Sequence, residues 1–567
     1  MRVLRLFCVL CGLSVSAFAL DREAFTITKY DLEIRLEPEQ QRLGARGKIT
    51  LRNDSAQSQK NAVLQISSTL SWRSIKADGK PLTFVSKTYM SDMDHTGALS
   101  EAIVTLPSEI APKQTIEFEI GYEGTISQDA TRLTQIGVPE EIAKHASWDQ
   151  ISPSFTAVRG AGYVAWYPIA TVAADFTEGN SMFEVADRWR AREAESEFKA
   201  NLLMSSATGE PPWVLICTPG AARFSAEMDR AQQISAECSW TRLGTVTPAF
   251  VMANLEDRSK RSFLLFNLPG HEAGAIAYTT ALEPASKLVS EWFRSPTAPI
   301  AISDLADSNA APFESGSLLL ASMASDGKRA QLNLVHILVH SAVPSLRPWI
   351  HEGLAHFAEA LCRAGQDGRQ SALDLLGLHL AAFVDTEKEL ARMPEKNPGQ
   401  PLATTYNESY YRSKAAYVWW MLRDMIGDDA FKQAIKKYRA EEDNDPKYVE
   451  QLLAATAKRD LGWFFDDWVY HDHGLPDFRV LAAHPWKSEG GKQVVTLTIE
   501  NLGHAGAEVP FTVRFADGEV RRRIEVRAKS NATTRVEIPG IATEVIVNDG
   551  SIPESDLTNN TFKITEP

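Results

Sequence analysis

Cysteine is scarce, with five in 567 residues, so cysteine pairs can at most pin single loops of this chain. Basic residues are fewer than acidic ones, 59 against 73, for a formal charge of −14. That balance argues against a nucleic-acid partner and for a solvated acidic surface. Beyond the first nineteen residues no apolar run approaches the length of a membrane span, and neither an internal repeat nor a low-complexity linker is visible. What is present is a globular composition, 44% hydrophobic and 23% charged, in a chain too long for one core.

The opening residues read as a cleavable export signal. Arg2 and Arg5 precede an apolar stretch from Leu6 to Val15, and Ala17-Phe18-Ala19 has the small-x-small form of a cleavage site. Leu10 before Cys11 is not the small residue that a lipid-anchor signal carries, so the expectation is a secreted or periplasmic protein without anchor or membrane span. Cys8 and Cys11 would leave with residues 1–19. Of the remaining three, Cys217 and Cys238 lie in strand-like sequence, and export permits them to pair. Cys362 would then be a buried free thiol.

Three periodicities follow. In residues 20–262 apolar and polar positions alternate, as in Tyr30, Leu32, Ile34 and Leu36 and in Ile116, Phe118, Ile120 and Tyr122, which predicts a large antiparallel β domain. In residues 263–475 the spacing turns helical, with Ala285, Leu288, Val289 and Trp292, then Ala415, Val418, Trp419, Leu422 and Ile426 closed by Gly427. In residues 476–567 alternation returns through Val495, Leu497 and Ile499 and through Val509, Phe511, Val513 and Phe515, the pattern of a β-sandwich. The expected fold is therefore multidomain α+β.

The chemistry-bearing residues lie in the helical part. His336 and His340 are four apart, so on a helix both imidazoles project from one face, as a metal ion requires. Glu352, on the next helix, is the candidate third ligand. Glu359 falls two turns further along the same face, with the ordinary reading of a hydrogen-bond partner. His356, four residues after Glu352, is placed to orient it or join the site, but reads first as a packed core histidine. His271-Glu272 has no partner histidine four residues on, and His471-Asp472-His473-Gly474 reads as a polar turn.

The segment Trp349-Ile350-His351-Glu352-Gly353-Leu354-Ala355 resembles the second metal-site helix of the aminopeptidase N-type gluzincin metallopeptidases. Ala311-Pro312-Phe313-Glu314-Ser315-Gly316 is similar to that family's substrate-binding strand. Tyr410-Tyr411-Arg412-Ser413-Lys414-Ala415 is similar to its catalytic tyrosine helix, and Tyr30–Leu51 and Trp166-Tyr167-Pro168 to its first domain. The resemblance implies a thermolysin-like catalytic domain with one zinc ion on His336, His340 and Glu352. It also implies Glu314 binding a substrate's α-amine, Tyr411 stabilising an oxyanion, and a peptide or protein as the partner.

Three departures accompany it. Ile337 stands where the family's general-base glutamate would be, and proton transfer by such a group contributes about 10²–10⁴-fold. Eleven residues separate His340 from Glu352, fewer than in the family. Counting back from Gly427, the catalytic tyrosine position falls on Arg412. The implied reading is a zinc metallopeptidase-like protein of weak activity; the alternative is a catalytically inactive protein that binds peptides or proteins.

Overall fold

The structure is a computed structural model describing residues 20–179, 181–205, 214–217, 233–260, 263–296, 299–324, 329–392, 401–487 and 492–564. The expected signal at 1–19 lies outside the described residues. The architecture is multidomain α+β, with β-rich N- and C-terminal regions and a helical middle. No helix among the described residues is long and apolar enough to cross a membrane.

The N-terminal region is built round the strand Phe25–Glu37, in which Tyr30, Leu32, Ile34 and Leu36 are all buried. It pairs antiparallel with Arg42–Asn53 on one side and parallel with Glu197–Ser205 on the other, within a seven-stranded sheet. The parallel pair departs from the all-antiparallel expectation. Parallel neighbours need a long crossover, and here the chain between them contains a second, three-stranded sheet and the helix Ser181–Glu193. That helix was not anticipated in a β region, although Met182, Val185, Ala186 and Trp189 bury one helical stripe. Cys217 and Cys238 are joined by a disulfide, Cα atoms 5.8 Å apart, and Cys362 is a buried free thiol.

The middle region opens on a five-stranded sheet. Its strands Phe263–Asn267, Ile300–Ser303 and Leu318–Leu320 run parallel, and the edge strand Phe313–Ser315 is antiparallel. Gly316, at φ +60°, makes the tight turn from the edge strand to its neighbour. The long helix Glu272–Trp292 follows the first of the parallel strands; Ala330–Ala342, Pro348–Asp367, Arg369–Arg392 and Ala415–Ile426 follow the sheet. Gly427 caps the last of these at φ +81°, as its spacing predicts.

The C-terminal region is two facing sheets of three and four strands. Val495, Leu497, Ile499, Val509, Phe511 and Val513 fill the space between them, and their core is continuous with that of the helices. Trp468 Nε1 donates to the Gly506 carbonyl at 2.8 Å, and Arg523 meets Asp424 at 3.0 Å, so the sandwich braces the helical region directly.

Candidate metal centre

The first site helix, Ala330–Ala342, buries Leu334, Val335, Ile337, Leu338 and Val339. That leaves His336 and His340 on the remaining face, one turn apart, with ring centroids 4.7 Å from each other. Ile337, one residue and about 100° further round, is fully buried in the core. The link Val343–Arg347 then turns the chain, and Pro348 occupies the first turn of the second site helix, where its missing N–H costs nothing.

The second helix, Pro348–Asp367, carries Glu352, His356 and Glu359 at steps of four and three, one stripe toward the first helix. Trp349, Ile350, Leu354, Phe357 and Leu361 bury the other side. Gly353 allows close crossing with the helix Ala415–Ile426: a Cβ there would stand 2.6 Å from the Ala415 Cβ and 2.9 Å from Trp419 Nε1. Trp349 and Trp419 stack at 4.8 Å across the same crossing, and Trp419 Nε1 donates to the Trp349 carbonyl at 3.1 Å. The short connection between the site helices therefore still delivers Glu352 to the histidine pair.

Each imidazole is held at Nδ1 by a carboxylate and turns Nε2 toward Glu352. His336 Nδ1 lies 2.8 Å from Glu359 Oε1, and His356 Nδ1 lies 3.2 Å from Glu359 Oε2. His340 Nδ1 lies 2.9 Å from Glu314 Oε2. An ionised carboxylate only accepts, so each Nδ1 carries a hydrogen, and Nε2 is the edge that a metal ion could take once it has displaced any proton there. Those Nε2 atoms face one carboxylate: Glu352 is 3.7 Å from His336, 3.8 Å from His340 and 3.9 Å from His356. His340 Nε2, His356 Nε2 and Glu352 Oε2 are buried with no hydrogen-bond partner.

Close trios of donor groups occur at Glu314/His336/His340, His336/His356/Glu359 and His340/His351/Glu352, and such clusters can hold a metal ion. The Nδ1 edges are already occupied by hydrogen bonds to Glu314 and Glu359. The Nε2 edges and Glu352 are therefore the better ligand face, with the outer carboxylates orienting the rings as they do round bound metals. Asp466, His471 and His473 form a fourth trio, but it is exposed.

The electrostatics fit a cation. Burial disfavours charge on His336, but Glu314 and contacts with Glu352 and Glu359 outweigh it and hold its pKa well above the ordinary imidazole value. Burial likewise works against ionised Glu352, yet Arg412 and the two histidines hold it well below the usual carboxylate range. Protons thus balance the buried carboxylates, and a divalent ion would displace them. His351, stacked on His340 at 3.7 Å, is held well below the ordinary imidazole value by burial first and then by the adjoining His340. His379, 4.9 Å from His356, is lowered to about 4 by burial and then by His356.

The remaining expected residues take less expected positions. Glu314 does sit on the edge strand beside the site, but its carboxylate is bound to His340. Tyr411 and Arg412 lie on a π-helical turn, Ser409–Lys414, so the count back from Gly427 does not run through an unbroken α-helix. Tyr411 is buried against Asp187, whereas Arg412 Nε reaches Glu352 Oε2 at 3.3 Å and its guanidinium also pairs with Glu408. Asp187 and Arg190, an ion pair on the unanticipated helix Ser181–Glu193, are site neighbours that sequence reasoning missed. The buried spacing of Met182, Val185 and Trp189 was the signal that would have found them. No family model matches this chain and no curated protein matches its sequence.

Proposed function

We propose that this chain is an exported, secreted or periplasmic zinc metallopeptidase-like protein related to the aminopeptidase N family, with weak activity on peptides. The observation that carries the reading is the convergence of His336 Nε2 and His340 Nε2 on the Glu352 carboxylate, with both rings fixed from behind by Glu359 and Glu314. Two imidazoles and a carboxylate on successive helices make the ligand set of a hydrolytic zinc site, and the mixed sheet with its antiparallel edge strand suits a thermolysin-like domain. When bound, zinc supplies Lewis acidity at neutral pH.

The chain's own residues supply less than the family's chemistry needs. Ile337 has no proton to move and is sealed in the core. Arg412 is the polar group nearest the ligand carboxylate and is placed to bind a developing negative charge. These features also favour the second reading, a catalytically inactive pseudopeptidase whose groove binds peptides or proteins.

The deciding measurement is zinc content of the mature protein beside a His336→Ala/His340→Ala variant, followed by release of amino acids from aminoacyl reporter substrates. About one zinc per chain, lost in the variant, with slow chelator-sensitive release supports a peptidase. Zinc without release favours the pseudopeptidase, and no zinc even after reconstitution removes both the metal and the peptidase.

A further inference from the structure

We propose that His356 is a fourth metal ligand, so that His336, His340, Glu352 and His356 together close the coordination shell of one divalent ion. This rests on the metal-centre reading above and goes beyond it, since a hydrolytic site of that kind has three protein ligands and one open position.

His356 is treated by its surroundings as His336 is. Both rings give their Nδ1 hydrogens to the same carboxylate, one to each oxygen of Glu359. Both Nε2 atoms then lie at nearly the same distance from Glu352 Oε2, 3.7 and 3.9 Å. Donors at about 2.0–2.1 Å from one zinc ion stand about 3.3 Å apart at a tetrahedral angle, so His356 and His336 would each have to close on Glu352 by a similar amount. The two rings are already neighbours, with centroids 4.9 Å apart.

A histidine present only for packing satisfies its buried nitrogens or turns one to solvent. His356 does neither, for its Nε2 is buried without a hydrogen-bond partner, beside a Glu352 oxygen that also has none and is met only by the charge of Arg412. The helix makes this placement inevitable: His356 is four residues after Glu352, and the two share a face. His351 is the contrasting case. It also has an unpartnered nitrogen, but it lies flat on His340 and no carboxylate holds its ring.

A shell of three imidazoles and one carboxylate leaves a tetrahedral ion no open position. The ion would be retained firmly, and hydrolysis would require His356 to leave. Together with the buried Ile337, this gives two independent reasons for low turnover at a site that still binds metal.

Cobalt(II) tests the assignment in the intact chain. Each imidazole bound through Nε2 and carrying hydrogen on Nδ1 gives one solvent-exchangeable, hyperfine-shifted proton signal. Three such signals are expected from the wild-type cobalt protein and two from His356→Gln, with cobalt affinity weakened at least about tenfold. Two signals from the wild type would remove His356 from the shell and leave the three-ligand centre standing. Failure of the wild type to bind cobalt would overturn the whole centre and this ligand with it. If the variant does not fold, the wild-type count alone decides.

Discussion

Arg412 Nε lies 3.3 Å from Glu352 Oε2, so the carboxylate on which three imidazoles converge is also charge-paired with a guanidinium. The pairing keeps Glu352 ionised in the absence of metal. It also sets a fixed positive charge beside the place where a cation would sit.

Removing that charge should tighten metal binding. Arg412→Gln loses the ion pair, but metal itself deprotonates its ligands, so the gain from lost repulsion prevails. Because the Arg412 side chain is partly exposed, screening limits the effect to about threefold to thirtyfold. Competition with a chromophoric chelator reads it directly. An unchanged or weaker affinity would mean that Arg412 serves chiefly to hold Glu352 in place.

Glu359 should matter more to metal affinity than its distance from the ion suggests. One carboxylate fixes two rings, His336 at 2.8 Å and His356 at 3.2 Å, and a glutamine can accept from only one of them. Loss of such an outer partner costs about 10–100-fold in metal affinity. Glu359→Gln should fall in that range and exceed Glu314→Gln, whose amide oxygen can still accept from the single ring, His340, that Glu314 holds. Equal losses from the two substitutions would contradict the double role.

Gly353→Ala sets helix propensity against packing. In an open helix the change would stabilise by about 1 kcal/mol. Here the new Cβ meets the Ala415 Cβ at 2.6 Å, and overpacking of that kind costs about 1–3 kcal/mol. Packing should prevail, lowering the melting temperature. Since Gly353 adjoins Glu352, metal affinity should drop as well. A variant that melts higher than the wild type would show that the crossing of these helices can open without penalty.

Much of this arrangement was legible in the sequence because it follows from short-range periodicity. The alternation at Tyr30–Leu36 marks the central strand, the four-residue step places His336 and His340 on one face, and Gly427 closes its helix. The stripe of Glu352, His356 and Glu359 is equally local. What depends on distant pairing was not legible. Nothing near Phe25–Glu37 announces that Glu197–Ser205 lies parallel beside it, nor that Asp187 meets Tyr411. The role of Glu314 shows the same limit. Family resemblance gives it a substrate amine, whereas its carboxylate is on His340 Nδ1, a contact set by how the edge strand lies against the first site helix. The count back from Gly427 lands on Arg412, the residue that reaches Glu352, although the π-helical turn at Ser409–Lys414 interrupts the α-helical steps.

Glu193 ties stability to pH, away from the metal centre. It is buried, with its Oε2 accepting from the Tyr30 hydroxyl at 2.7 Å and its Oε1 unpartnered. Burial raises its pKa to about 7, partly offset by Arg192 and by the Tyr30 contact. A carboxyl whose folded pKa lies above its unfolded value binds more protons in the native state, so its contribution favours folding at low pH. That contribution is complete below about pH 4.3, the unfolded value, and is lost as pH rises through about 7. Glu193→Gln keeps an acceptor for Tyr30 without the charge. The variant should therefore match the wild type near pH 5 and be more stable at pH 8, by on the order of 1–3 kcal/mol. Urea unfolding at the two pH values measures the difference. If the gap between variant and wild type does not widen from pH 5 to pH 8, Glu193 is ionised in the native protein throughout, and its charge is compensated by Arg192 more fully than the burial of this helix end implies.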